Sequence, residues 1–128
     1  MESTLVGVLK ADPTVAGLFG SRLYPMRLPD TLDLSKEESF PALAYSVVSD
    51  LEMYEVSVGL TTVQFTVFAK TYKQGKTAKD AVIKALHRYK GGDLQSVSYM
   101  NGLEIDDPNV GLKQFTLDFR VKHTKKEV

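Results

Sequence analysis

The chain has 128 residues, no cysteine, and 16 basic side chains balanced by 16 acidic ones. That length is one domain's worth and buries about two thirds of its unfolded surface, so the fold needs no metal or disulfide staple. The missing thiols exclude a disulfide scaffold, a cysteine zinc site and a thiol nucleophile. A hydrophobic content of 43% excludes a wholly disordered chain, and zero net charge argues against a dedicated nucleic-acid binder.

A single domain over residues 1–128 is expected, with no repeat and no internal boundary. No apolar run approaches the roughly 18 residues that a membrane span needs. Met1-Glu2-Ser3-Thr4 lacks the basic start of a signal peptide, so a soluble intracellular protein is the expectation. Leu5, Val8 and Leu9 share one face of a short helix that Ser3 or Thr4 can cap. Asp12-Pro13 restarts it, with Asp at the N-cap and Pro at the first helical position. Val15, Leu18 and Phe19 follow at helical spacing, and Gly20 closes the turn. Arg22-Leu23-Tyr24-Pro25 then leaves in extended form. Residues 26–41 are a long acidic loop between elements.

Four strands are predicted. Residues 42–49 place Leu43, Tyr45 and Val47 on one face. Residues 61–69 alternate, with Val63, Phe65, Val67 and Ala69 inward. Residues 97–105 place Val97, Tyr99, Leu103 and Ile105 together, interrupted by Asn101-Gly102, where the strand folds back or bulges. Residues 115–123 turn Phe115, Leu117, Phe119 and Val121 inward. Between the second and third strands, Ala78, Ala81, Val82, Ala85, Leu86 and Tyr89 mark a helix that starts between Tyr72 and Thr77 and stops at Gly91-Gly92. The fold class is therefore α+β: a mainly antiparallel four-stranded sheet with two helices on one face, in the order α-β-β-α-β-β.

The balanced charge is segregated along the chain. Residues 30–60 hold seven acids against one base, net −6, and residues 70–90 hold seven bases against one acid, net +6. Residues 93–107 are net −4 and residues 113–126 net +4. Within the first acidic region, Asp50-Leu51-Glu52-Met53-Tyr54-Glu55-Val56 alternates acids with apolar residues in a strand-like way. Either the hairpin simply extends there, or a projecting hairpin offers Leu51, Met53, Tyr54 and Val56 to another protein.

Catalytic constellations are absent from the pattern. His87 and His123 are isolated and lack HxH or HExxH spacing, so both read as surface residues. Asp106-Asp107-Pro108-Asn109 reads as a turn rather than a calcium loop. No phosphate-binding glycine loop and no GxSxG elbow occurs. No cofactor and no metal site is expected. The basic helix could bind phosphates, but most aromatic side chains that would stack on bases fall at core positions, Phe68 excepted.

Several stretches, in order, resemble one family. Leu9-Lys10-Ala11-Asp12-Pro13-Thr14-Val15-Ala16-Gly17-Leu18-Phe19-Gly20-Ser21-Arg22-Leu23-Tyr24-Pro25 resembles the start of the tail-completion, or tail-terminator, proteins of long-tailed bacteriophages and gene-transfer particles. Phe40-Pro41-Ala42-Leu43-Ala44-Tyr45 resembles that family's approach to its first strand. Val63 to Tyr72 resembles its second strand, Lys79 to Leu86 its helix, and Phe115 to Val121 its closing strand. The acidic stretch from Asp33 to Glu38 departs from the pattern.

The resemblance implies a small structural subunit, not an enzyme, in the virion tail at the head–tail junction, assembled in the host cytoplasm. It implies a hexameric ring at the head-proximal end of the tail tube that stops tube growth. The implied partners are the tube protein, a head-connector or stopper protein, and DNA only as passing cargo. A different connector or stopper subunit, or a small nucleic-acid-binding module, is the alternative. Ring contacts join two different surfaces of neighbouring copies, which suits segregated charge. The expected subunit interface sets Asp50, Glu52 and Glu55 of one copy against Lys73, Lys76, Lys79, Lys84 and Arg88 of the next. Leu51, Met53, Tyr54 and Val56 are the expected contacts to the tube or the channel.

Overall fold

The computed structural model describes residues 2–20, 22–26, 40–53, 58–91, 94–107 and 112–124. Two short helices, α1 (Glu2–Ala11) and α2 (Pro13–Phe19), lead into a short strand, β1 (Leu23–Pro25). The hairpin β2 (Ala42–Met53) and β3 (Val58–Ala69) follows, then α3 (Tyr72–Leu86), then β4 (Leu94–Asp107) and β5 (Leu112–Thr124). The sheet runs β1-β2-β3-β5-β4, antiparallel except for the parallel β1–β2 pair. The chain is α+β, as its patterning implied, but with five strands in a mixed sheet and three helices.

Both extra elements have a physical cause. The Asp12 carboxylate accepts from the backbone N–H of Thr14 at 2.9 Å and Val15 at 3.1 Å, so the restart makes a separate helix rather than a kink in one. Leu23, Tyr24 and Pro25 lie opposite Leu43, Ala44 and Tyr45. Three residues carry no readable alternation, so the sequence showed their extension but not their pairing. Arg22 fastens this corner: its guanidinium donates to the carbonyls of Pro41 and Leu18, each at 3.0 Å.

All three helices cover one face of the sheet. Leu5, Leu9, Val15, Phe19, Ala78 and Leu86 meet the inward residues of β3 and β5, which are buried as the alternation predicted. An aromatic row crosses this face from Tyr45 to Phe65, Phe119 and Tyr99, with ring centroids 6.4, 5.5 and 5.5 Å apart in turn. Edge-to-face and tilted pairs of this kind add to the area they bury. On the opposite face Phe40, Ala42 and Leu112 form a small second cluster, joined by Tyr24 and Phe68. Phe68 is thereby used in packing.

One local expectation is corrected and one open alternative is decided. The helix ends at Leu86, before Gly91-Gly92, because Arg88 adopts a left-handed backbone (φ 66°) and donates its N–H to the Val97 carbonyl at 2.7 Å. Asn101-Gly102 does not reverse the chain; β4 continues, with a bulge between Tyr99 and Asn101. One extra residue swaps the faces beyond it. Leu103 and Ile105 therefore lie opposite Thr116 and Gln114 and are 61% and 43% exposed. A second bulge follows Val47, which shares the face of Leu43 and Tyr45 and is 38% exposed.

Candidate interaction surface

The basic residues of the sequence converge on α3. Thr71 caps its start by accepting the Gln74 N–H at 3.1 Å. Gln74 reaches back to accept the Lys70 N–H at 3.0 Å and donates to the Phe40 carbonyl at 3.3 Å. This is close to a capping box, and the Thr-x-x-Gln spacing was available in the sequence to fix the helix start. The buried stripe Gly75, Ala78, Ala81, Val82 and Leu86 packs on β3, β5 and β4. It leaves Lys73, Lys76 and Lys84 on the exposed side.

These cations differ in what they touch. Lys79 stands 3.7 Å from the Glu104 carboxylate of β4, and its ammonium lies 5.9 Å from the centroid of the Phe115 ring. Lys73, Lys76 and Lys84 have no ion-pair partner among the described residues. Arg88 lies just beyond the helix rather than on it, and its backbone N–H is spent on Val97. The five expected cations thus separate into three exposed ones on α3, one engaged internally and one at the helix exit.

The acidic partners fall elsewhere. Asp50 and Glu52 belong to the far half of β2, opposite Thr61 and Gly59 of β3. Leu51 and Met53 sit on the same stretch, opposite Leu60 and Val58. Tyr54, Glu55 and Val56 lie outside the described residues, as does the acidic stretch 30–39. Strands β3 and β5 separate β2 from β4, about 14 Å at the usual strand spacing.

Sequence reasoning missed a third feature, the outer edge of β4. Its first half is closed: Val97 accepts from Arg88 at 2.7 Å, and the Tyr99 N–H donates to His87 Nδ1 at 3.1 Å. His87 is therefore a strand-edge plug, a role its helix-end position did not reveal. Beyond the bulge, no strand pairs with the outer edge among the described residues. A shallow groove between the start of α3 and the adjoining ends of β4 and β5 is lined by Tyr72, Glu104, Ile105, Lys113, Gln114 and Phe115. His123, expected at the surface, is half-buried and bonds Thr61 Oγ1 through Nε2 at 2.8 Å.

Catalytic chemistry finds little to build on. A cleft between α2 and α3 holds Asp12, Asp80 and Lys84, but Asp12 is occupied as a helix cap. Among the described residues, no three His, Asp or Glu side chains gather to hold a metal ion. None of the helices there is long and apolar enough to cross a membrane.

Comparison with known proteins gives a consistent result. The sequence model of a family described as tail completion protein gp17 matches residues 3–124. No curated protein matches in sequence. In three dimensions the chain is similar to a chain from the virion of a native gene transfer agent (GTA) particle, with a TM-score of 0.71 at 17% identity. The alignment covers 94% of this chain and 91% of that one.

Proposed function

The chain belongs to the tail completion protein gp17 family, whose place is the virion tail, and from that premise we propose that it forms a ring ending the tail tube on the side of the head. A ring of this kind stops tube polymerisation and presents a joining surface to a head-connector or stopper protein, while DNA passes through it as cargo. Six copies are the number the family resemblance implies.

The observation that carries the reading is the separation of opposite charges on one neutral molecule. Lys73, Lys76 and Lys84 are exposed on α3 without an ion-pair partner among the described residues, and Asp50 and Glu52 lie on β2, with two strands between it and β4. Ring symmetry brings two such surfaces together between neighbours. Asp50, Glu52 and Glu55 of one subunit then face Lys73, Lys76 and Lys84 of the next, with Arg88 at the margin. Lys79 contributes less, because Glu104 already holds it. Exposed pairs add only about 0–1 kcal/mol each, so their main effect is on register and assembly rate. Leu51, Met53, Tyr54 and Val56 supply the contact to the tube or line the channel.

The test is native mass spectrometry of the protein at low and moderate salt, beside the variant Lys73→Glu/Lys76→Glu/Lys84→Glu. The wild type should give a closed oligomer that weakens with salt, and the variant a folded monomer. An oligomer that survives the triple reversal would remove the charged interface. Tight, salt-sensitive DNA binding by the monomer would favour the nucleic-acid module instead.

A further inference from the structure

Among the described residues the sheet ends in two partly open edges. On one side β1 covers only Leu43 to Tyr45 of β2, and Met26 ends that cover by donating to the Tyr45 carbonyl at 2.7 Å. The rest of β2, as far as Met53, has no neighbour on its outer side among the described residues. On the other side, β4 from Met100 to Asp107 is equally uncovered, although His87 and Arg88 close its first half. Proteins usually blunt an open edge with lysine, proline or a covering segment. Among the described residues, half of this edge is covered and the other half is bare, and on the bare half Met100, Leu103 and Ile105 are 47%, 61% and 43% exposed.

The backbone along that bare half is set up for pairing. Val97 and Tyr99 point their polar groups outward, to Arg88 and His87, and they stand opposite Val121 and Phe119 of β5. In an antiparallel ladder, outward and inward pairs alternate. Counting on past the bulge, Gly102 and Glu104, opposite Leu117 and Phe115, turn their N–H and C=O groups outward.

We propose that the outer edge of β4 from Met100 to Asp107 pairs with the uncovered edge of β2, residues 47–53, of a second copy, continuing the sheet from subunit to subunit. The inference rests on the ring reading above and names its strand contact. The occupant follows from pattern rather than charge. The edge carries acids, Glu104 (engaged by Lys79), Asp106 and Asp107, and among them the exposed apolar residues Leu103 and Ile105 stand two apart. An incoming strand with apolar residues at the same spacing suits such an edge, and Leu51 and Met53 in Asp50-Leu51-Glu52-Met53 have it. A heterologous contact of this kind uses both edges of every copy and leaves none exposed once the ring closes.

Cysteine cross-linking tests it, because the chain has no cysteine of its own. Glu104→Cys is combined with Leu51→Cys in one protein and with Glu52→Cys in another, so that either register is sampled. Paired strands bring Cα atoms to about 4.5–5.5 Å, within disulfide reach, whereas in one chain Glu104 is level with Leu43 through Phe115 and Val67, and Leu51 and Glu52 lie eight and nine residues further along β2, more than about 20 Å away. Oxidation should give a ladder of covalent multimers that ends at the ring. A ring without this ladder, but with one from Lys76→Cys combined with Glu52→Cys, would overturn the strand contact and leave the ring reading intact. A protein that stays monomeric and yields no ladder, even with tail tubes added, would overturn both. Leu103→Lys gives an independent reading: assembly should weaken about tenfold or more, since an edge lysine opposes pairing, with the monomer's melting point unchanged. Unaltered assembly of that variant would also overturn the proposal.

Discussion

The ring of Phe115 on β5 fills the space that a Cβ on Gly75 of α3 would occupy. Phe115 is also held by Tyr72, 5.8 Å away centroid to centroid, and lies beneath the Lys79 ammonium. The helix carrying the exposed lysines therefore sits as close to the sheet as a bare backbone allows.

Gly75→Ala sets two effects against each other. Alanine favours the helix by about 1 kcal/mol. The methyl group, however, meets a ring that is 1% exposed and fixed on two sides, and overpacking of this kind costs about 1–3 kcal/mol. The variant should lose stability in urea unfolding, and Phe115→Leu introduced into it should recover part of the loss. A Gly75→Ala protein at least as stable as the wild type would contradict the close approach.

The two capped helix starts predict a second pair of losses. Asp12→Ala removes the acceptor for two backbone N–H groups of α2, and Thr71→Ala removes the acceptor for Gln74 at the start of α3. Each should cost about 0.5–2 kcal/mol of unfolding free energy. Asp12→Asn and Thr71→Ser, which keep an acceptor, should stay close to the wild type. Equal losses from the conservative and the alanine changes would show that capping is not what these residues do.

How far the sequence could be read depended on whether each signal was local. Phe65 and Phe119 sit in long regular alternations, and their burial followed from counting. Leu23 pairs with Leu43, far along the sequence, and no period in three residues announces a partner so distant. Arg88 ends α3 in a left-handed conformation that a glycine would have signalled, so the stop was placed at Gly91-Gly92. For the candidate surface, the basic face of α3 was legible from spacing. The engagement of Lys79 was not, because Glu104 reaches it only through the packing of β4 beside the helix. The plug formed by His87 was hidden for the same reason.

The β4 bulge supplies the last prediction. Met100 and Asn101 together oppose the single residue Asp118, so one of them is surplus to the ladder. Deleting Met100 lets Asn101 follow Tyr99 in a regular ladder and leaves Gly102 opposite Leu117 and Leu103 opposite Thr116. Its cost should be small, within about 1 kcal/mol. Deleting Gly102 instead carries every later residue to the other face. Leu103 is then driven to the side where the Tyr99 hydroxyl and the Thr116 carbonyl leave no room for a Cβ, and Glu104 is turned away from Lys79. That variant should lose several degrees of melting temperature and its open-edge assembly together. Equal stability of the two deletions would mean that β4 slips freely, and then no fixed apolar edge would exist for a neighbour to find.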